Sequence, residues 1–363
     1  MNQQSTPASR TSESEGKALF IGLATVVLTL VGWSVTPLFI KHFSEPGTVG
    51  YIDFWTSNGW RYGFSALLWA PLLIVGFLRK KLPPRLFVAA IIPGAINSIS
   101  QIAFTNAHYK IDPGLLTFGL RAQMVVVAIG AAIMFPLERM AIRKPSFLAG
   151  LALVILGTAG TIAFDEGFGS QSNTVGVLLA LGAGAGFACY ALAVRKCMVG
   201  INSMYAFAAI SQYTAGSMIV LMLIFGERSG AMVFKMPQTQ VMWLLVSSVI
   251  GIGAGHVLYY ISIARLGVAV SAGVIQLQPF VVAILSYIWF GDVLKWNQWV
   301  AGGMAVTGAV TMLAVQHVTM QKLKRSSRDQ SGELPVDHVA ASVECENDQP
   351  HSGHVNSGRP ANE

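Results

Sequence analysis

The sequence predicts an all-α polytopic membrane protein, with ten transmembrane helices arranged as two inverted five-helix repeats. Three observations predict it. Only 11% of the 363 residues are charged, where a soluble domain carries about 25%. Apolar runs long enough to cross a bilayer recur from residue 18 to residue 316. The second half of the chain also repeats the first at a nearly constant offset. No stretch alternates in polarity as the strands of a membrane barrel do.

In chain order, residues 1–17 are polar and Ser-rich and read as a disordered cytoplasmic N-terminus. The apolar spans follow at 18–42, 51–78, 86–108, 114–135 and 146–164, which form a first unit over 18–164. A polar linker at 165–173, Asp-Glu-Gly-Phe-Gly-Ser-Gln-Ser-Asn, separates them from a second unit over 174–316. Its spans lie at 174–198, 204–226, 240–263, 269–290 and 297–316. Residues 317–363 are charged, Ser-rich and aperiodic, and read as a disordered cytoplasmic tail. The first span is too long for a signal-peptide h-region and lacks a small-x-small cleavage site, so it reads as a retained helix.

The net charge of +7 does not point to nucleic acid, because the basic residues sit in short loops. If the N-terminus is cytoplasmic, 16 Lys and Arg fall in the cytoplasmic segments and five (Lys41, Lys110, Arg228, Lys235 and Lys295) on the other side. That bias places both termini in the cytoplasm; the membrane expected is the cell (inner, cytoplasmic) membrane. The three cysteines, Cys189, Cys197 and Cys345, have no metal-ligand spacing and read as free thiols. No metal, no cofactor and no enzyme motif is expected: there is no phosphate loop, zinc spacing or nucleophile elbow.

The repeat is visible residue by residue. Gln123 to Phe135 aligns without gaps on Gln278 to Phe290, with seven of thirteen positions identical at an offset of 155. The same offset pairs Lys110 with Arg265, Gln101 with His256 and Arg121 with Gln276. An offset of 154 pairs Gly32-Trp33 with Gly186-Phe187, and Lys41 with Arg195. Five spans is an odd number, so the second unit enters the membrane from the opposite side. Many secondary transporters are built from such an inverted repeat, with the binding site between the halves.

These residues resemble the drug/metabolite transporter superfamily, in its EamA type. The resemblance rests on the opening helices of the two halves, Gly32-Trp-Ser-Val-Thr-Pro-Leu-Phe-Ile-Lys41 and Gly186-Phe-Ala-Cys-Tyr-Ala-Leu-Ala-Val-Arg195. It also rests on Tyr259 to Ala272 leading into Gln278-Pro279, on Glu138 and Asp292 after the fourth helix of each half, and on Gly150, Gly157, Gly302 and Gly308 in the fifth. It covers about residues 18–316. Met124 stands where the family often has Pro, Asp292 where it usually has Glu, and the tail has no counterpart. The resemblance implies export of amino acids, related metabolites or drugs.

Polar residues inside a span face the bundle interior or water. Asn97, Gln101, Thr105 and His108 share one face of the third span, and His256, Tyr259 and Tyr260 share one face of the eighth. Either they line a central cavity or they bond helices together. Arg121 is open to two roles, pairing with a substrate carboxylate in the cavity or forming a structural ion pair. Gln123 lies about 200° from it on an ideal helix and is expected to face elsewhere. Arg61 resembles an Arg found early in the family's second helix and is expected to snorkel to the outer interface. His256 either carries a coupling proton or is a satisfied core residue. Trp33 is singled out because its repeat mate, Phe187, is also aromatic. The glycines at 251, 253 and 255 suit close packing or flexible gating.

The expected substrate site is therefore Arg121, Gln101, His256, Tyr259, Gln276, Asn97 and Trp33. The expected partners are a small-molecule substrate and the lipid bilayer, with no nucleic acid; a homodimer is left open. The function expected is secondary transport, in the export direction, of a small polar or amphipathic metabolite such as an amino acid. The alternatives are a channel or receptor-like membrane protein, or an integral membrane enzyme acting on lipid. The latter would show acidic or His clusters at one membrane face, and none is seen in the sequence.

Overall fold

The computed structural model describes residues 7–167 and 169–331. Among the described residues there is no strand. Ten helices are long and apolar enough to cross a membrane: α1 (Ala18–Ser44), α2 (Phe54–Leu78), α3 (Leu86–His108), α4 (Pro113–Met134), α5 (Pro145–Ala163), α6 (Gln171–Cys197), α7 (Ser203–Phe225), α8 (Gln238–Leu266), α9 (Val270–Phe290) and α10 (Trp296–Leu323). At 1.5 Å per residue, the 23 residues of α3 span about 35 Å, enough for the hydrocarbon core.

Two ends differ from the sequence expectation. Helix runs back from α1 to Pro7 and forward from α10 to Ser331, where the sequence reading placed unstructured chain at 1–17 and 317–363. Extending an existing helix adds one hydrogen bond per residue without a new nucleus, and Met320-Gln-Lys-Leu-Lys-Arg325 are good helix formers. Residues 332–363 lie outside the described residues.

Local sequence fixes the other helix ends. Asp53 caps α2, its Oδ1 accepting from the backbone N–H of Trp55 and Thr56 at 3.0 Å each. Its Oδ2 also accepts from Glu227 N, just past the end of α7. Asn202 and Ser170 cap α7 and α6 in the same way. Pro113 and Pro145 open α4 and α5 at the position where a missing N–H costs nothing. Gly291, at φ 77°, closes α9 in the left-handed conformation that its missing Cβ permits.

Burial is the reverse of a water-soluble domain. Leu67, Phe77, Ile99, Leu156, Leu178 and Ile288 are exposed on the outside, whereas Ser57, Asn58, Arg61, Thr105, His108 and Arg121 are buried. A lipid-facing surface lets large apolar groups stay outside and forces polar ones in.

Helix packing follows an exchange of the two halves. α2 packs on α7, α4 on α9 and α5 on α10, each against its own counterpart. Three further sets of contacts come in matched couples: α3 on α6 with α8 on α1, α4 on α6 with α9 on α1, and α3 on α7 with α8 on α2. After an odd number of crossings, counterpart helices run in opposite senses, so the exchange axis lies in the membrane plane.

The α5–α10 seam is the tightest of these contacts. A Cβ on Gly157 would lie 2.5 Å from Ala301 O and 2.8 Å from Ala305 Cα, and one on Gly308 2.8 Å from Val154 N. Backbones approach this closely only where side chains are absent.

Candidate functional site: a polar cavity on the exchange axis

α4 and α9 are both broken at the same repeat position. α4 is α-helical over Pro113–Gly119, tightens into a 3-10 turn over Leu120–Ala122, and resumes over Gln123–Met134. In the second half, helix ends at Ile275 and resumes at Gln278, leaving Gln276 and Leu277 in a turn. α8 carries a third irregularity, a π turn over Val249–Ala254 in its glycine-rich stretch. Irregular backbone inside a membrane is tolerated where it lines a cavity, and π turns recur at functional sites.

A cavity of about 400 Å³ lies where these breaks meet. All seven residues expected from the sequence line it: Trp33 from α1, Asn97 and Gln101 from α3, Arg121 from α4, His256 and Tyr259 from α8, and Gln276 between the halves of α9. The polar faces are shorter than expected. Thr105 instead donates to Asn58 Oδ1 at 2.7 Å, and His108 Nδ1 donates to Phe104 O at 2.8 Å. Tyr260 turns away, packing edge-on against Phe207. One interhelical bond, one bond within α3 and one ring contact thus occupy the ends of the two stripes, and the cavity takes the rest.

Arg121 is buried, at 3% exposure. Its Nη1 donates to Gln276 Oε1 at 2.5 Å, its Nη2 to Gln278 Oε1 at 3.4 Å and its Nε to Thr117 O at 3.4 Å. Arg121 and Gln276 are repeat equivalents. A residue can touch its own counterpart only on the exchange axis, so the axis passes through this contact. Gln278 in turn donates to Trp33 O at 2.9 Å.

Of the two roles open to Arg121, the structural ion pair is not formed among the described residues. Among the described residues the ion pairs are Lys41–Asp112, Arg195–Glu138 and Lys295–Glu166, none at the cavity. Gln123 also lines the cavity, contrary to the ideal-helix expectation. The 3-10 turn winds at about 120° per residue rather than 100°, which brings positions 121 and 123 closer in angle.

Arg61 is a second correction. It does not snorkel outward: it is buried, lines the cavity, and donates from Nε to Ser247 Oγ at 3.1 Å. Ser248 Oγ donates to the Arg61 carbonyl at 2.5 Å. The sequence clue available was a charge one helical turn beyond Ser57 and Asn58, on a face that lipid would not accept. Gln278 was also passed over, although it matches Gln123 across the repeat and both line the cavity.

The aromatic wall is ordered by α8. Trp33 Nε1 donates to Gly251 O, in the π turn, at 3.1 Å. Gly255 leaves room for that ring: a Cβ there would lie 2.8 Å from Trp33 Cδ1, so close packing is the reading the structure supports for this glycine. The Trp33 ring packs against His256 at 5.3 Å and Tyr259 at 5.2 Å. His256 stacks on Phe207 at 4.3 Å. Its Nδ1 lies 3.0 Å from Ile252 O; a carbonyl only accepts, so Nδ1 carries the proton.

The two ends beyond the cavity differ. Beyond α4, the buried Glu138 pairs with Arg195 and accepts from Gln316 Nε2 at 2.9 Å, while the Arg195 guanidinium lies 3.8 Å from the Phe135 ring centre. Their equivalents at an offset of 154 are Asp292 and Lys41. These are not paired: Asp292 accepts from Ser286 Oγ at 2.5 Å, and Lys41 lies 3.7 Å from Asp112. Burial, and then Asp292, push the Asp112 carboxyl above its ordinary range, while Lys41 pulls it down. Among the described residues no cluster of His, Cys, Asp and Glu could hold a metal ion.

With this geometry established, known proteins can be compared. Residues 174–314 match the sequence model of the EamA-like transporter family. A search of curated proteins finds no match. Among solved structures 23 chains match. One crystal structure superposes with a TM-score of 0.50, covering 82% of this chain and 97% of that one at 15% identity, a likeness of fold alone.

Proposed function

We infer that this chain, whose residues 174–314 match the model of the EamA-like transporter family, is a secondary transporter that exports a small polar or amphipathic metabolite across a cell membrane. Amino acids and related compounds are the class the reading favours. The observation that carries it is the Arg121–Gln276 contact inside the cavity. It sets a polar, aromatic-walled hollow on the axis that relates the halves, where exchanging their conformations turns a site open to one side into a site open to the other.

The unequal ends give that exchange a structural form. The Arg195–Glu138 end is tied and the Lys41–Asp292 end is not. In the opposite conformation Lys41 takes Asp292 as its partner and Arg195 releases Glu138. With the orientation set by the basic loops, the tied end is cytoplasmic and this conformation faces outward.

The test is counterflow in proteoliposomes. Purified protein is screened against metabolites by thermal shift, and the hits are loaded into vesicles. Saturable exchange of a radiolabelled hit is expected. Conductance that rises without saturation would replace the carrier reading with a channel, and no flux of any hit would remove it.

A further inference from the structure

We propose that the cavity takes an organic anion: a carboxylate on a flat apolar body, held by the Arg61 and Arg121 guanidinia together, with the body against the aromatic wall. This rests on the transport reading of the same cavity and names its substrate class.

The first argument is uncompensated charge. Arg61 and Arg121 are each 3% exposed, and both line the same cavity. No Asp or Glu is among the residues lining it. Burying a guanidinium without a counter-charge is expensive, and its removal from water is offset only by a paired anion or by full hydrogen bonding. Neither condition is met. A guanidinium has five N–H donors. Those of Arg121 reach three acceptors, all neutral, and two of these bonds are 3.4 Å long. Arg61 reaches one, the Ser247 hydroxyl. The unused donors and both positive charges are aimed at a hollow on the order of a small-ligand pocket.

The second argument is the shape of the wall. The rings of Trp33, Tyr259 and Phe187 line the cavity, which suits the flat apolar part of an amphipathic molecule. A carboxylate fits the guanidinium fork, with two parallel N–H donors to two oxygens. A cationic solute meets two like charges and no carboxylate.

The experiment uses the full chain in lipid nanodiscs at constant ionic strength, with thermal shift as the readout. The probes are benzoate, phenylacetate and hexanoate, their neutral amides, benzylamine, and sulfate as an inorganic anion. The aromatic carboxylates are expected to raise the melting temperature in a saturable way, above hexanoate, while the amides, benzylamine and sulfate do not. In Arg61→Gln and Arg121→Gln the carboxylate affinity is expected to fall at least about tenfold, with Arg61→Lys keeping part of it. The melting temperature without ligand shows whether each variant is folded; if either is not, the wild-type probe series decides alone.

Equal stabilisation by an acid and its amide, or by sulfate and benzoate, overturns the proposal, as does stabilisation by benzylamine alone. Counterflow separates this from the underlying reading. Saturable exchange of cationic solutes only leaves a transporter whose substrate class is not this one. Carboxylate binding without any counterflow leaves an anion site in a protein that does not transport.

Discussion

Replacing Gly157 with alanine puts a methyl group into the α5–α10 seam, and the structure sets the size of the effect. The new Cβ would meet Ala305 N first, and would stand 2.5 Å from Ala301 O and 2.8 Å from Ala305 Cα. An unstrained contact needs about 3.4 Å or more, so α10 must retreat by roughly 1 Å at that point. All three obstacles are backbone atoms and cannot rotate aside, and retreat loosens the neighbouring contacts of Gly150 and Gly308 as well. Overpacking of this kind costs about 1–3 kcal/mol, and three backbone clashes argue for the upper half of that range. Gly182→Ala in α6 is the control, because a Cβ there meets no atom within 4 Å; it is expected to be neutral or to gain up to about 1 kcal/mol of helix propensity. The assay is thermal denaturation of the two purified variants in one detergent, read as loss of the monodisperse fraction. If Gly157→Ala is as stable as Gly182→Ala, the account of the seam is refuted.

Arg121→Gln is expected to abolish transport while leaving insertion and folding intact, because it removes a charge that no protein carboxylate compensates; normal flux in vesicles would count against it. Glu138→Gln breaks a buried ion pair, which costs about 3–5 kcal/mol when both partners are buried. Arg195 is half exposed, so about 1–2 kcal/mol is expected here, a shift of roughly 5- to 30-fold toward the conformation open at that end. Labelling of a cysteine introduced at Gln101 by an impermeant reagent from the cytoplasmic side measures that shift, and an unchanged labelling rate would refute it. Asp53→Ala removes the cap of α2 and its tie to Glu227, for an expected loss of about 1–2 kcal/mol in a denaturation series. The raised pKa of the Asp112 carboxyl means that the folded chain holds that proton more tightly than the unfolded chain. Its contribution to stability is therefore present in acid and fades as pH rises past the ordinary Asp range; comparing Asp112→Asn with wild type across acid to neutral pH should show that slope removed, by less than about 1 kcal/mol.

The ten spans and the repeat are legible in the sequence because both rest on one-dimensional signals, the length of charge-free runs and a fixed offset. The cavity residues are legible for a related reason: a polar side chain in a span has nowhere to go but inward, and Gln101, Arg121 and His256 obey that. Arg61 was misplaced because a long side chain near a helix end has two physically reasonable exits, and only the position of Ser247 decides between them. Gln123 was misjudged because the tight turn at Leu120–Ala122 has no Gly or Pro of its own to announce it. That Glu138 is paired and Asp292 is not could not be read at all, since the two sites are repeat equivalents carrying the same charges, and which pair forms depends on the conformation adopted.

The Trp33 side chain joins the two halves through one bond, from an indole N–H on α1 to the Gly251 carbonyl of α8, and its ring forms part of the cavity wall. The molecule thus carries its own optical probe. A solute arriving beside the ring changes the polarity around it, and a rearrangement that separates α1 from α8 strips the indole of its acceptor. In a background where the other seven tryptophans are replaced, a shift in emission wavelength on filling and a change in intensity on rearrangement would follow the cycle without a label.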